Sequence, residues 1–391
     1  MQNTITFKKL LLLAPILFSS AFCLAQVTQK WVNRQNGDPN STDWANALAV
    51  DHHGYIYVTG YSLGKGTNND FATVKYDEGS NTQWVKKYNG PGNDEDEAVA
   101  ICTDHNGNVY VTGYSTGNGT GRDLTTIKYD AGSNTKWVKR FNGTGNGNDA
   151  AVAVAVDDDG NVYITGSTNN TGTSFDYTTI KYNKDGDTKW VRTYNGPGNG
   201  NDLPTALAVD NDGNVYVTGQ STGTGTDLDY ATIKYNTSGV QQWVKRYNGS
   251  INNWDRPNAM VIDKNGNVYI TGFTTTVLSE EDGILTDIAT IKYNTTGTQQ
   301  WVAFYNRKGH DEANALAVDA AGNVYITGFS GSAEEDPDND YVTIKYNSNG
   351  LQQWASIYEG AGFDQGGGAN ALVLDAAGNV YITGAISIEE E

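Results

Sequence analysis

The chain has 391 residues and a formal net charge of −19, and it is rich in glycine and aromatic residues, with 46 Gly and 24 Tyr. A strongly acidic chain without a run of Lys or Arg repels phosphate backbones, which argues against nucleic acids and anionic membrane surfaces as partners. This composition is typical of many short strands joined by tight turns, so we expect an all-β fold.

The first 25 residues have the pattern of a secretory signal peptide. Lys8 and Lys9 form a basic region, residues 10–22 form an apolar region, and the small residue Ala25 ends the segment. The apolar run is too short to span a membrane comfortably. We therefore predict a protein that is secreted or held at the cell surface, has no transmembrane segment, and consists of residues 26–391 once mature.

A short motif organises the rest of the chain, and its clearest copy is Gly-Asn-Val-Tyr-Ile-Thr-Gly at residues 160–166. Versions of it occur seven times, at residues 54–60, 107–113, 160–166, 213–219, 266–272, 322–328 and 378–384. A tryptophan recurs every 53 residues, with one step of 58, at Trp31, Trp84, Trp137, Trp190, Trp243, Trp301 and Trp354. A period of this length is typical of stacked or radially arranged units.

Each repeat contains four strand-like runs, which in the third copy are residues 152–156, 161–165, 177–182 and 188–194. The first run is apolar on both faces and alternates with alanine, so we expect it to be the innermost, buried strand. The later runs alternate polar and apolar residues, as half-exposed strands do. Seven units of four antiparallel strands predict a seven-bladed β-propeller, a single domain of repeats of about 53 residues.

The repeat Ala-x-Ala-Val-Asp-x-x-Gly-Asn-Val-Tyr-Val-Thr-Gly resembles the bacterial seven-bladed propeller repeat called SBBP. It is more distantly similar to NHL repeats, which share Val-Asp-x-x-Gly-Asn-Val-Tyr. The resemblance covers about residues 27–384. It implies surface binding or scaffolding and no shared catalytic residues.

The two ends of the chain complement each other. Residues 30–36 read as an outer strand that precedes any inner strand, while residues 369–374 and 379–383 read as the first two strands of a last blade. We predict that the N-terminal outer strand joins the C-terminal blade and closes the ring, which removes exposed sheet edges. The third strand of that blade is missing, so either residues 386–388 form a stub of it or the chain is a truncated form of a longer protein with a C-terminal sorting domain.

Strand parity separates two faces of the propeller. The fourth-to-first and second-to-third connections lie on one face, which we call the variable face, and the two short turns of each repeat lie on the other, the uniform face. Extra residues fall on the variable face, in the predicted loops 273–286 and 329–339. Because binding usually occurs on variable loops of a rigid scaffold, we expect the ligand on the variable face.

Four residues of the variable face are predicted to bind the ligand. Trp44 and Trp254 are the two tryptophans outside the repeat period, and each lies beside an inner-strand Asp. Exposed indoles stack on sugar rings or anchor protein partners, although they also fill space between loops. Arg256, close to Trp254, and His310, the one histidine on this face, complete the predicted set.

Acidic residues suggest a cation, and calcium is the expected one. An Asp begins the inner strand at Asp43, Asp96, Asp149, Asp202, Asp255 and Asp311, and another begins the third strand at Asp70, Asp123, Asp176, Asp229, Asp287 and Asp340. Their regular recurrence favours a structural role, as acceptors of backbone N–H groups. The less symmetric acidic patch contains the predicted metal ligands Glu280, Glu281, Asp282, Glu334, Glu335, Asp336 and Asp338.

The sequence therefore predicts an exported, non-enzymatic, monomeric propeller that binds a polysaccharide or a surface protein through the variable face. Two alternatives stay open: a secreted polysaccharide lyase or hydrolase acting at the same face, and a structural spacer within a larger cell-surface protein. Enzyme chemistry requires an asymmetric cluster of acid, base or nucleophile. His310, with Arg307, Lys308 and Asp311, is the group of this kind on the variable face.

Overall fold

The computed structural model describes residues 30–35, 37, 42–279, 283–332, 339–359 and 364–388, and within them the chain forms strands and turns without a helix. The predicted signal peptide and the predicted metal ligands at residues 280–282 and 334–338 lie outside the described residues. The described part contains no helix that could cross a membrane.

Six repeats form complete four-stranded antiparallel sheets, each in the order first, second, third, fourth strand. The first three sheets consist of β1 (Asp43–Val50), β2 (Ile56–Leu63), β3 (Asn69–Tyr76), β4 (Thr82–Tyr88), β5 (Asp96–Thr103), β6 (Val109–Thr116), β7 (Arg122–Tyr129), β8 (Thr135–Phe141), β9 (Ala150–Val156), β10 (Val162–Asn169), β11 (Phe175–Tyr182) and β12 (Thr188–Tyr194).

The next three complete sheets follow the same order. They consist of β13 (Asp202–Val209), β14 (Val215–Thr222), β15 (Leu228–Tyr235), β16 (Gln241–Tyr247), β17 (Asp255–Ile262), β18 (Val268–Ser279), β19 (Gly283–Tyr293), β20 (Gln299–Tyr305), β21 (Lys308–Val318), β22 (Val324–Ser332), β23 (Asn339–Tyr346) and β24 (Gln352–Tyr358). The seventh repeat is a two-stranded sheet of β25 (Asp364–Leu374) and β26 (Val380–Ile388). The prediction of six full blades and a partial one is confirmed.

The uniform-face hairpins are stabilised by an Asp that caps the turn and a Gly that adopts positive φ. In the fourth repeat, Asp210 Oδ1 accepts the backbone N–H of Asp212 (3.1 Å) and Asn214 (2.8 Å), and Gly213 has a φ of 74°. The phenol of Tyr216 donates to Asp210 Oδ2 at 3.0 Å. A carboxylate that caps its own turn and a residue that tolerates positive φ make a short, reproducible connection.

The hairpin of the fifth repeat differs from its sequence prediction. Residues 273–286, predicted as a long loop, largely continue the β18–β19 ladder, with Thr275 paired to Thr286 and Ser279 to Gly283. A bulge between Thr275 and Val277 absorbs the offset. The extra residues therefore lengthen a strand pair, because this stretch is rich in threonine and branched apolar residues that favour strands.

Ring closure stays a prediction. Residues 30–35 are not part of a strand, and residues 30–34 belong to a separate compact unit, Met1–Arg34, of which the structure describes only those five residues. The described residues of the seventh repeat show β25 paired with β26 alone. Residues 386–388 belong to β26, not to the third-strand stub that was one alternative.

The blades are joined by the repeated tryptophans. The indole of Trp190 in β12 packs at a tilt between Tyr163 of its own blade and Tyr235 of the next, with ring centroids 6.3 and 6.0 Å apart. Its Nε1–H donates to the carbonyl of Thr237 in the next blade at 3.1 Å, and the ammonium of Lys181 lies 3.4 Å from the same oxygen. Hydrophobic clusters accordingly lie between neighbouring sheets.

Gly239 lets this contact form. It has a φ of 75°, and a Cβ there would lie 2.7 Å from the Trp190 ring. Gly225 has an almost identical φ of 76°, yet a Cβ there would have no neighbour within 4 Å. An alanine at Gly225 would therefore meet only backbone strain, whereas an alanine at Gly239 would meet the same strain and also a steric contact with the neighbouring blade.

We expect Gly225→Ala to destabilise the protein by about 1 kcal/mol, the cost of left-handed backbone for alanine. Gly239→Ala should cost about 1–3 kcal/mol more, because the Trp190 ring must also shift. Urea and thermal unfolding of both variants measure the difference. Equal effects of the two substitutions would contradict the proposed packing role of Gly239.

Candidate functional site

The inner-strand aspartates hold the variable face together. Asp149 is buried, and its two carboxylate oxygens accept the backbone N–H of Gly143 (2.6 Å) and of Asn169 (2.7 Å). Gly143 lies in the connection that enters the blade, and Asn169 ends β10. Asp96, Asp202 and Asp255 make the same pair of backbone contacts. These hydrogen bonds support a structural role for the inner-strand aspartates.

The third-strand aspartates tie strands to one another. Arg140 in β8 donates to Asp123 Oδ2 at 2.7 Å and to Ser115 Oγ at 2.5 Å, and Arg246 repeats the ion pair with Asp229 at 2.7 Å. In the third repeat, where threonine replaces this arginine, the amide of Asn170 donates to Thr168 Oγ1 and Asp176 Oδ2, both at 3.0 Å. A neutral amide thus substitutes for the guanidinium. Among the described residues, no three His, Cys, Asp or Glu side chains are placed together to hold a metal ion.

Trp254 is exposed on the variable face, as predicted. The residue immediately precedes β17 and is 52% exposed. Its indole N–H donates to Asp227 Oδ2 in the preceding blade at 2.9 Å, and its carbonyl accepts the N–H of Thr275 at 3.1 Å. The ring is therefore held in place while much of its surface faces solvent.

The other predicted ligand-binding residues lie in three blades. Trp44, in β1, is 60% exposed and lies opposite Tyr61 of β2. Arg256, in β17, is exposed and lies opposite Phe273. His310, in β21, is exposed, and its Nδ1 is 3.5 Å from Thr286 Oγ1 of the fifth blade. The structure thus places Trp254, Arg256 and His310 on two consecutive blades, and Trp44 on the first.

A polar cluster between the first two blades was missed by the sequence reasoning. The phenol of Tyr114 donates to Glu97 Oε2 at 2.7 Å, and Asn46 of the first blade donates to Glu97 Oε1 at 2.9 Å. The guanidinium of Arg122 lies 4.3 Å from the centre of the Tyr114 ring and pairs with Glu95. Burial, together with the hydrogen bond to Glu97, raises the pKa of Tyr114, so its phenol acts as a hydrogen-bond donor.

A sequence signal for this cluster exists. Glu97 directly follows the inner-strand Asp. In the six complete repeats this position holds five different residue types, with Glu occurring twice: Trp44, Glu97, Ala150, Leu203, Arg256 and Glu312. Its cross-strand partner varies as well: Tyr61, Tyr114, Ser167, Gln220, Phe273 and Phe329. Asymmetry at a structurally equivalent pair of positions is expected of a ligand-contacting surface. We call these cross-strand pairs the variable pairs.

The group around His310 is mostly occupied by structural contacts. Asp311 is fully buried and accepts the backbone N–H of Arg307 at 2.8 Å. The guanidinium of Arg307 is paired with Asp340 at 2.5 Å. The side chain of Lys308 lies outside the described residues. Asp311 therefore does not face a ligand on this surface.

Comparison with known proteins supports the repeat assignment. Four segments match the SBBP family, described as a beta-propeller repeat, at residues 33–66, 83–119, 136–172 and 190–225. No curated protein matches the chain.

Several solved structures are similar to the chain at low identity and low TM-score. A protein of unknown function from Bacteroides caccae is 11% identical with a TM-score of 0.39, covering 77% of this chain and 94% of its own. The polysaccharide lyase Uly1 is 14% identical with a TM-score of 0.46, covering 78% of this chain and 82% of its own. BBS1N, in complex with ARL6DN, is 11% identical with a TM-score of 0.37, covering 82% of this chain and 80% of its own. At these TM-scores none of the three informs the function.

The buried aspartates of the variable face give the protein a pH-dependent stability. Burial raises the pKa of Asp149, Asp255 and Asp311 to about 6, from an ordinary value of 3.8. Between these two values the folded state binds more protons than the unfolded state, so stability falls as the pH rises. We expect the melting temperature to rise when the pH is lowered from about 7.5 to about 5.

Thermal unfolding at constant ionic strength measures this slope, and Asp149→Asn should reduce it. Asp158→Asn is the matched control, because the Asp158 side chain is 96% exposed. A melting temperature that falls over this interval, or a slope that Asp149→Asn leaves unchanged, would contradict the assignment.

Proposed function

We propose that the chain, four segments of which match the SBBP beta-propeller repeat, is a non-enzymatic binding protein that engages an extended polysaccharide through the variable face. The observation that carries the proposal is the fixed, half-exposed indole of Trp254. A flat apolar surface with a rigid orientation is the surface on which sugar rings stack.

The anchoring of Trp254 reduces the cost of binding. Its side chain is hydrogen-bonded to Asp227, and its backbone carbonyl to Thr275. An aromatic ring that is already ordered loses little conformational entropy when a ligand stacks on it. Stacking of a ligand on Trp254 requires neither a metal ion nor an acid–base pair.

The variable pairs supply the rest of the surface. Trp44 with Tyr61 presents two aromatic rings, and Arg256 with Phe273 presents an exposed cation beside an aromatic ring. Such combinations bind neutral and acidic sugars, because the rings stack and the guanidinium pairs with carboxylates. An acidic polysaccharide would be selected locally by Arg256 against the overall negative charge of the protein.

Export, oligomeric state and location are inferred from the sequence. The protein is proposed to be exported by residues 1–25, to act as a monomer, and to bind at or outside the cell surface. A surface protein is the alternative ligand, a structural spacer is an alternative role, and a lyase or hydrolase at the same face is the enzymatic alternative. The phenol of Tyr114 is hydrogen-bonded to Glu97 and Asp311 is buried, so neither is assigned a catalytic role.

Retention of the mature protein in polysaccharide-containing gels, with calcium and with a chelator, tests the proposal. We expect Trp254→Ala and Trp44→Ala each to weaken binding by about 1–2 kcal/mol, which is about 5- to 30-fold. Leu351→Ala is the matched control, because Leu351 is 64% exposed but lies on the uniform face. Binding that survives both tryptophan variants would contradict this site, and release of product from the polymer would favour the enzyme.

The calcium dependence of retention would distinguish two modes of binding at the variable face, ligation of a metal ion and stacking on tryptophan. Retention that requires calcium would favour the acidic residues as ligands: Glu280, Glu281, Asp282, Glu334, Glu335, Asp336 and Asp338. Retention in the presence of the chelator would favour stacking on Trp44 and Trp254. Absence of retention on every polysaccharide would leave a protein ligand or a spacer role.

Ring closure by residues 30–36 is part of the same proposal. Tyr381 in the seventh repeat is 56% exposed, whereas the equivalent Tyr163 is fully buried. Lys30-Trp31-Val32 repeats the outer-strand sequence Lys136-Trp137-Val138. If these residues complete the last blade, Trp31→Ala should lower the melting temperature about as much as Trp84→Ala. A melting temperature that Trp31→Ala leaves unchanged would contradict closure by this segment.

A further inference from the structure

Three of the four histidines of the chain lie together on the uniform face, away from the proposed ligand surface. His52 and His53 occupy the turn between β1 and β2, and His105 occupies the same turn between β5 and β6. The ring centroids of His52 and His53 are 3.8 Å apart, and those of His52 and His105 are 6.2 Å apart. Asp158 of the third blade extends the group, with Oδ1 3.4 Å from His105 Nε2.

The backbone of this group is fixed while its side chains are exposed. Asp51 Oδ1 accepts the N–H of His53 and Tyr55 at 2.9 and 3.0 Å, and Asp104 accepts two N–H groups of its own turn in the same way. The side chain of His105 is 82% exposed. The turns therefore hold the Cα atoms in place, and the imidazoles are free to reorient.

We propose that His52, His105 and Asp158 bind a divalent transition-metal ion of the zinc type, with His53 as a further ligand. Neutral imidazole and carboxylate are the ligands that zinc prefers after thiolate. With Zn–N distances of about 2.1 Å and tetrahedral angles, the centroids of two bound rings lie about 5 Å apart. The observed separations of 3.8 and 6.2 Å lie on either side of that distance.

Side-chain rotation is enough to form the site. As the rings stand, His52 is tilted against His53 and meets His105 edge-on. Among the described residues no three such groups already converge on one point. Rotation about the exposed χ1 and χ2 torsions can bring the rings to that separation. A small surface cavity of about 170 Å³ beside His105 is lined by the carboxylates of Asp104, Asp157, Asp158 and Asp159 and by Lys128 and Lys184. Its excess of carboxylates over ammonium groups favours a cation.

A metal at this position would link successive blades. His52 belongs to the first blade, His105 to the second and Asp158 to the third. The link would span the first junction, where the indole N–H of Trp84 has no hydrogen-bond partner. Zinc binding would then stabilise the native state by mass action.

Titration of the mature protein, prepared without a polyhistidine tag, with Zn²⁺ tests the inference by calorimetry and by melting temperature. We expect one high-affinity site, a higher melting temperature with zinc, and affinity about tenfold or more weaker for His52→Ala and for His105→Ala. His310→Ala is the matched control, since it removes the one histidine of the variable face. Asp158→Asn should weaken binding less than the histidine variants.

The inference is overturned if the wild-type protein binds no zinc, or if His310→Ala loses as much affinity as His105→Ala. It is also overturned if zinc raises the melting temperature of the His52→Ala/His105→Ala double variant as much as that of the wild type. The melting temperatures of the variants without metal show that each is folded, since all three histidines are exposed.

Discussion

The structure depends on a two-donor contact between neighbouring blades. A tryptophan N–H from the fourth strand and a lysine ammonium from the third strand approach the same backbone carbonyl of the next blade: Trp137 and Lys128 on Lys184, Trp190 and Lys181 on Thr237, Trp243 and Lys234 on Thr295, Trp301 and Lys292 on Ser348. Each lysine also lies over a tyrosine ring of its own blade, at about 5 Å for Lys181 and Tyr163. A carbonyl that accepts two donors, one of them charged, is a specific anchor for one blade on the next.

This contact explains why one face is uniform. The carbonyl lies in the turn between the third and fourth strands, and the glycine of that turn, such as Gly239 or Gly297, must approach the indole without a Cβ. A change of length or residue type there would move both the turn and the tryptophan. Selection for blade packing therefore fixes the uniform-face turns, and sequence differences accumulate on the opposite face, where each blade is closed by aspartate and backbone N–H groups instead.

The junction between the first and second blades lacks the turn glycine that the other contacts require. Ser133 takes the place of the turn glycine and keeps the positive φ, at 73°. The equivalent Cβ in other junctions would lie within 3 Å of the indole. The indole of Trp84 still stacks between Tyr57 and Tyr129, but its Nε1–H is unpaired. A single added Cβ thus accounts for the loss of the tryptophan hydrogen bond while the aromatic packing is retained.

Sequence reasoning succeeds where every copy must obey the same constraint. The Trp period, the Gly-Asn turns and the alanine-rich first strands each follow from packing that recurs in all blades, so the fold could be predicted. The contacts of Glu97 with Asn46 and of His105 with His52 could not, because they join residues of different blades through side-chain positions at which the copies differ. The length of the fifth hairpin was also missed, since a threonine-rich insertion reads equally as loop or strand until its register is known.

Asymmetry is consequently the informative quantity in this molecule. A residue present in all copies, such as the inner-strand Asp, is explained by hydrogen bonds that every blade needs. A residue present in one copy, such as Trp254, or in two neighbouring turns, such as His52 and His105, has no such explanation, because the other blades fold without it. Both sets lie on rigid backbone: Trp254 is pinned by Asp227, and the histidine turns are capped by Asp51 and Asp104. A symmetric scaffold that holds rare side chains in fixed places is suited to recognition, and the two faces can recognise chemically different ligands because they share no side chains.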